Sequence, residues 1–233
     1  MAVADWIRIA ILSLVWGGSF FFVEVMLEAM PPMTSVLGRL IVGLAGLIGL
    51  LKLLGHPLRP LMTQWRSFAW IGLINNAIPF SLISFGQTEI TGSLASIINA
   101  STPIMTAVVA HQLTTDERLS LRKTLGIAFG FGGVLVLFGP AGMQGGASLL
   151  GMAAGLTATI CYAFGSVYSK RLKSNPPMLN ATGQVLYGTL WMFPVVCLID
   201  QPWRLPMPGI GPWLALMGIG LLSTTLAFFI YFR

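Results

Sequence analysis

Long apolar stretches alternate along the chain with short segments rich in proline, glycine or charge. Eight such stretches lie at about 9–29, 35–54, 68–86, 93–112, 123–140, 148–168, 179–199 and 211–232. A helix needs roughly 20 mostly apolar residues to cross the hydrocarbon core of a bilayer. Transmembrane β-strands would be about ten residues long with strict polar and apolar alternation, which this sequence lacks. The pattern therefore predicts an all-α polytopic membrane protein with eight transmembrane helices.

Composition supports a membrane protein, because 55% of the residues are hydrophobic and only 9% are charged. A soluble domain carries about 25% charged residues. The net charge is +6, but the basic residues lie between the apolar stretches, so the lipid bilayer is the expected partner and nucleic acid is not. Cys161 and Cys197 lie singly in apolar stretches, and no Cys or His spacing suits a metal. We therefore expect no disulfide, metal or cofactor.

The distribution of Lys and Arg predicts the orientation of the chain. The basic residues that fall on one side, at the N-terminus and after every second stretch, are Arg8, Lys52, Arg59, Arg66, Arg118, Arg122, Lys123, Lys170, Arg171, Lys173 and Arg233. Arg204 falls on the other side, and Arg39 lies just inside the second stretch. Basic loops stay in the cytoplasm. We expect a multi-pass protein of a bacterial-type inner membrane with a cytoplasmic N-terminus.

Two halves of the sequence resemble each other weakly. Pro31-Pro32-Met33 follows the first stretch and Pro176-Pro177-Met178 follows the sixth, and the same alignment sets Arg39 opposite Gln184. Because five is an odd number of membrane crossings, the second copy of a five-helix repeat begins on the opposite side of the membrane and is inverted relative to the first, as in many transporters. The alignment predicts inverted repeats at 1–144 and 145–233, the second incomplete, with eight of ten expected helices present. We expect a truncated reading frame, and the alternative is an eight-helix variant.

Several polar residues lie within the apolar stretches, where an unsatisfied polar group costs several kcal/mol. Those near the middle of their stretches are Asn75, Asn76, Asn99, Ser101 and Thr224. Pro103 removes a backbone donor, so the Asn99 carbonyl is expected to lose its helical partner and to be free for solute or water. These side chains either hydrogen-bond neighbouring helices together or line a substrate cavity, and the sequence leaves both open.

Glu24 and Arg39 are charged residues within the first two helices. In one interpretation Glu24 carries protons or binds a cationic group, with Arg39 as its partner or as an anion clamp. In the other, the two residues form a structural ion pair. Tyr162 is a candidate aromatic wall of the cavity, whereas Gly43, Gly46 and Gly49 predict close packing of the second helix.

Several motifs together resemble the EamA domain of the drug/metabolite transporter superfamily. They are Trp16-Gly17-Gly18-Ser19-Phe20, Pro31-Pro32, Arg39, Asn75-Asn76-Ala77-Ile78-Pro79-Phe80, Phe85-Gly86-Gln87, Leu94-Ala95-Ser96, Thr102-Pro103, Asp116-Glu117-Arg118 and Gly130-Phe131-Gly132-Gly133-Val134. The resemblance implies ten helices in two inverted repeats around a central cavity, and secondary transport of metabolites, amino acids or drugs. This chain departs from that pattern in lacking the last two helices.

The expected function is therefore a secondary transporter, an exporter or permease in which two repeats rock about a midplane site. The candidate cavity or coupling residues are Glu24, Arg39, Asn75, Asn76, Asn99, Ser101, Tyr162, Gln184 and Thr224. The expected partner besides lipid is a small-molecule solute, and a homodimer is possible. A non-transporting or inactive membrane protein is one alternative. An intramembrane enzyme is another, but the sequence has no hydrolase or phosphate-loop motif, so we expect no enzyme activity.

Overall fold

The structure is a computed structural model that describes residues 3–114, 120–138 and 148–231, and every regular element in those ranges is helical. Seven described helices are long and apolar enough to cross a membrane. They are α1 (Asp5–Leu27), α2 (Pro32–Leu53), α3 (Trp65–Gly86), α4 (Gly92–Leu113), α6 (Leu149–Leu172), α7 (Pro177–Ile199) and α8 (Ile210–Tyr231). The remaining stretch forms α5 (Leu121–Phe138), whose membrane crossing stays a prediction.

Several of these helices are interrupted. Those with breaks or short extensions are α1 (Val3–Gly17 and Ser19–Leu27), α3 (Trp65–Gly72, Leu73–Ala77, Ile78–Gly86), α4 (Gly92–Asn99, Thr102–Leu113), α6 (Leu149–Ser169, then Lys170–Leu172) and α8 (Ile210–Gly218, Ile219–Leu226, Ala227–Tyr231). The middle pieces of α3 and α8 are π-helical. Short helices at Arg59–Thr63 and Pro202–Arg204 lie in the connections.

Local sequence explains where the helices begin. Pro32 and Pro177 occupy the first positions of α2 and α7, where the missing N–H costs nothing and the fixed φ suits a helix. Thr91 and Ser148 cap α4 and α6, since each side chain accepts a hydrogen bond from a first-turn amide.

The centre of the protein is formed by α2, α3 and α7. Leu40, Leu47, Phe68, Val185 and Val196 are fully buried there. Lipid is as apolar as these side chains, so helix association in a membrane depends on close packing and interhelical hydrogen bonds.

Small residues allow α2 and α8 to approach closely. A Cβ at Gly43 would lie 2.6 Å from the Thr224 methyl group, and Gly46 faces Thr225 equally closely. A Cβ at Gly49 would have no neighbouring atom within 4 Å. The prediction of close packing therefore holds for Gly43 and Gly46 and was wrong for Gly49.

Hydrogen bonds at the two ends of α7 define how this helix is arranged relative to α2 and α3. The Asp200 carboxylate, at the end of α7, accepts hydrogen bonds from the amide and hydroxyl of Thr34 at the start of α2, at 2.6 and 2.8 Å. The two helices are therefore antiparallel. Gln64 and Asn175 exchange hydrogen bonds at 3.1 and 2.8 Å, so the segments preceding α3 and α7 lie on the same side of the protein.

Some sequence predictions lie outside the described residues. They concern Arg118, Arg233 and the boundary between the two repeats at 144/145.

Candidate functional site

Arg39 is the charged residue around which the candidate site is built. It lies seven residues, about 10 Å, beyond the start of α2. Its guanidinium carbon lies 3.9 Å from the centroid of the Phe80 ring of α3, a cation–π distance. The Tyr162 ring of α6 packs edge-on against Phe80, with 6.4 Å between centroids. Phe80 and Tyr162 thus form an aromatic wall beside the cation.

Arg39 also reaches the second half of the chain. Its Nε donates a hydrogen bond to the Thr224 hydroxyl of α8 at 3.2 Å, and that hydroxyl donates to the Ile219 carbonyl at 3.2 Å. The sequence-predicted residues Arg39, Tyr162 and Thr224 therefore come together around Phe80, from four different helices.

A small void adjoins this group between α1, α2 and α3. Its volume is about 10 Å³, close to the smallest space that holds one water molecule. Ser35, Arg39, Phe80 and Ser84 line it together with aliphatic side chains. Sequence reasoning missed both serines, although Ser35 lies four residues before Arg39 and Ser84 four residues after Phe80, which is helical spacing for a shared face.

Three amide side chains form a second polar group, between α3 and α7. Asn75 and Asn76 both donate to Oε1 of Gln184, at 2.8 and 3.5 Å. Asn76 is fully buried and Gln184 nearly so. Oδ1 of Asn76 is buried without a hydrogen-bond partner. These amides therefore join two helices, and one acceptor remains unused in a place where an unsatisfied polar atom is costly.

Both polar groups involve π-helical segments. Asn75 and Asn76 lie in Leu73–Ala77 of α3, and Thr224 lies in Ile219–Leu226 of α8. A π-helical turn leaves one extra residue per turn and occurs frequently at functional sites. In α8, Thr224 and Thr225 donate to carbonyls five residues earlier, which are Ile219 and Gly220.

Three consecutive side chains of α8 bond to its neighbours. Ser223 donates to the Val15 carbonyl of α1 at 2.8 Å, Thr224 accepts from Arg39, and Thr225 donates to the Gly43 carbonyl at 3.2 Å. The hydroxyls therefore fix the rotation of α8 against α1 and α2.

Glu24 lies apart from this group, near the end of α1. Its side chain is exposed, and its Oε2 faces Gly92 at the start of α4, where Gln87 also packs. No ion pair joins Glu24 to Arg39, both of which the structure describes. The hypothesis of a Glu24–Arg39 ion pair was wrong, because Glu24 is on the face of α1 that meets α4.

Asn99 and Ser101 do not contact Arg39 or the amide group. The Asn99 carbonyl accepts a hydrogen bond from the Thr102 hydroxyl at 2.6 Å, and buried Ser101 donates to the Ile98 carbonyl at 2.6 Å. The expectation that Pro103 frees the Asn99 carbonyl was wrong, since Thr102 replaces the missing backbone donor. Oδ1 of Asn99 is buried without a partner.

The described residues contain no group of three or more His, Cys, Asp or Glu side chains arranged to hold a metal ion. The side chains around Arg39 offer hydrogen bonding, an aromatic surface and one guanidinium.

Comparison with known proteins gives consistent matches. The sequence model of the EamA-like transporter family matches residues 6–139 and 149–233. The chain is 25% identical over 223 residues to the "uncharacterized inner membrane transporter YedA" of Escherichia coli K12, covering 93% of this chain and 69% of that protein. It is 26% identical to "protein PecM" of Dickeya dadantii, covering 94% and 71%.

Two further matches concern function and fold. A "probable amino-acid metabolite efflux pump" of Escherichia coli K12 is 26% identical over 191 residues, which cover 82% of this chain and 61% of that protein. A crystal structure superposes with a TM-score of 0.70 at 18% identity, over 99% of this chain and 78% of the other. That likeness concerns the fold alone. The names of YedA and of the efflux pump point to a transporter rather than an enzyme, and YedA is named as an inner-membrane protein. The seven described apolar helices support a multi-pass protein.

Proposed function

The chain belongs to the EamA-like transporter family, and from this membership we propose that it is a secondary transporter with a solute site at Arg39. The observation that carries this proposal is the convergence of Arg39, Phe80, Tyr162 and Thr224 from four helices, each long and apolar enough to cross a membrane. Charged residues within a membrane protein are costly and mark substrate or ion pathways.

The proposed solutes are small metabolites, with amino acids as the first group to test. One relative is named a "probable amino-acid metabolite efflux pump", which supports export as the direction. An aromatic surface beside a single cation suits a small amphipathic solute.

We propose further that residues 1–144 and 145–233 form inverted repeats. In support, counterpart elements begin at nearly equal intervals along the chain, at Pro32 and Pro177 for α2 and α7, at Trp65 and Ile210 for α3 and α8, and at Leu73 and Ile219 for their π-helical segments. The antiparallel arrangement of α2 and α7 also supports this proposal, because these helices are counterparts in the alignment.

The orientation follows from the same arrangement. The Gln64–Asn175 contact supports a common side for the basic segments before α3 and α7. By the preference of basic loops for the cytoplasm, this is the cytoplasmic side, as is the N-terminus.

Transport then proceeds by alternating access. The void beside Arg39 is too small for any solute larger than water, so groups of helices move apart on one side of the site and then on the other. Movement at the π-helical segment of α3 would open the site without unfolding that helix.

The test is reconstitution into liposomes loaded with a mixture of amino acids and small metabolites, followed by mass spectrometry of the released solutes. We expect one or a few solutes to leave faster than from protein-free liposomes. We expect Arg39→Gln to lose this release. The matched control Lys52→Gln removes a positive charge at the exposed end of the same helix and should retain it. Release no faster than from protein-free liposomes, for every solute, contradicts the proposal, and new products in the mixture would indicate an enzyme instead.

A further inference from the structure

The guanidinium of Arg39 has no carboxylate partner among the residues that the structure describes. The structure describes five acidic residues, which are Asp5, Glu24, Glu28, Glu89 and Asp200, and none of them forms an ion pair with Arg39. Glu24 faces Gly92, and Asp200 accepts both hydrogen bonds of Thr34. A positive charge within the bilayer that lacks a counter-ion is destabilising. An anion from outside the chain would neutralise this charge.

The hydrogen-bond donors of Arg39 are mostly unused. A guanidinium carries five N–H donors, and only the Nε donor is bound, by Thr224. The two terminal nitrogens have no acceptor in the described residues, and the Arg39 side chain is one of those that line the void. A carboxylate matches the planar fork of an arginine and accepts two parallel hydrogen bonds. It could do so here without breaking the Thr224 bond.

The surroundings of the void select among anions. Besides Arg39, five apolar side chains and two serines line it, so the body of the ligand is mainly apolar. These residues are Val23, Met26, Val36, Phe80, Ile83, Ser35 and Ser84. The other described Lys and Arg residues lie at helix ends or in connections. A multiply charged phosphate would find only one cation.

We infer that the transported solute carries a carboxylate on an apolar or aromatic body, and that Arg39 binds this carboxylate while Phe80 and Tyr162 contact the body. This inference rests on the proposed transport function and specifies its substrate class.

The experiment measures binding and not transport. Purified protein is unfolded by heat in the presence of matched probes that differ only in charge, which are phenylalanine and phenylalaninamide, phenylpropionate and its amide, and hexanoate and its amide. Inorganic phosphate is tested beside these three pairs. A bound ligand raises the unfolding temperature by an amount that grows with the logarithm of its concentration divided by its Kd, so the Kd values of acid and amide can be compared at equal concentration. We expect at least one carboxylate to bind about tenfold or more tightly than its amide, because charge-assisted hydrogen bonds are lost in the amide.

Variants assign the effect to the residue. Arg39→Gln should abolish the difference between acid and amide, and Arg39→Lys should retain part of it, since it keeps the charge but loses the fork. Lys52→Gln should behave as the parent protein. The comparison of acid with amide on the parent protein stands even if the Arg39 variants fold poorly.

Equal stabilisation by acids and amides would overturn the inference, as would a difference that persists in Arg39→Gln or no stabilisation by any carboxylate. Stabilisation by phosphate as strong as that by the carboxylates would overturn the assignment of a carboxylate. Carboxylate binding without flux in liposomes would refute only the transport proposal, and flux of solutes without carboxylate dependence would refute only this inference.

Discussion

Gly72 lies where the backbones of α3 and α7 approach each other closely, and its replacement by alanine should separate them. A Cβ at Gly72 would lie 2.7 Å from the Gln184 carbonyl oxygen and 2.7 Å from the Gly188 amide nitrogen. Both are backbone atoms, so no side-chain rotation relieves the clash. The helices would have to move apart by about 1 Å to restore ordinary van der Waals contact.

The magnitude follows from two contributions. Overpacking of a close-packed site costs about 1–3 kcal/mol. Separation of the helices also lengthens the Asn75–Gln184 hydrogen bond, now 2.8 Å, and such bonds in membranes contribute about 0.6 kcal/mol on average. We expect Gly72→Ala to lower the free energy of unfolding by about 2–3 kcal/mol, which corresponds to roughly 4–12 °C in unfolding temperature for a chain of this size.

The assay is thermal unfolding of the purified protein in detergent. Unfolding is detected by the reaction of Cys161 and Cys197 with a thiol reagent as they become accessible. Gly49→Ala is the matched control, because a Cβ at Gly49 meets nothing within 4 Å. If Gly72→Ala unfolds at the same temperature as Gly49→Ala, the helices do not approach as described and the argument from backbone contact is refuted.

Three other predictions can be measured on the same protein. Gln184→Leu removes the acceptor of both asparagine amides of α3 and should destabilise by about 1 kcal/mol, whereas unchanged stability in thermal unfolding would show that these bonds contribute nothing. Asp200→Ala removes the carboxylate from the Thr34 amide and should cost about 1 kcal/mol, as loss of a helix cap does; Asp200→Asn keeps an acceptor and should cost less. In a variant without other cysteines, Asn175→Cys should react with a membrane-impermeant thiol reagent only from the cytoplasm and Glu28→Cys, at an exposed position in the counterpart loop before α2, only from outside, and labelling of both from one side would refute the inverted arrangement.

The helices were predictable because apolar length is a local property. Gln184 could also be predicted, since the internal alignment sets it opposite Arg39, and the structure places it in the second polar group. Interhelical hydrogen bonding, one of two interpretations of Asn75 and Asn76, is what the structure shows for these amides. The role of any of these residues in transport stays a prediction.

The wrong predictions concern features that the sequence pattern does not determine. These are the rotation of each helix about its axis and the hydrogen bonds made by side chains adjacent to the residue in question. Hydropathy alone does not show which face of α1 meets which neighbour, so Glu24 was paired with Arg39 although it lies beside Gly92. The Asn99 carbonyl was considered free because Pro103 removes a backbone donor, while the adjacent Thr102 hydroxyl supplies the bond. Gly43 and Gly49 are both glycines of α2, but of these two only Gly43 lies in close contact with α8.

The three hydroxyls of Ser223, Thr224 and Thr225 join α8 to α1 and α2. Gln184 joins α7 to α3 in the same way. Each bonded set thus combines helices from both halves of the sequence. We therefore expect the bodies that move during a transport cycle to be hybrids, with α8 travelling with α1 and α2. The boundary between the two duplicated halves of the sequence would then differ from the boundary between the two moving groups of helices. A fluorophore pair placed on α1 and α8 would keep a constant separation throughout the cycle.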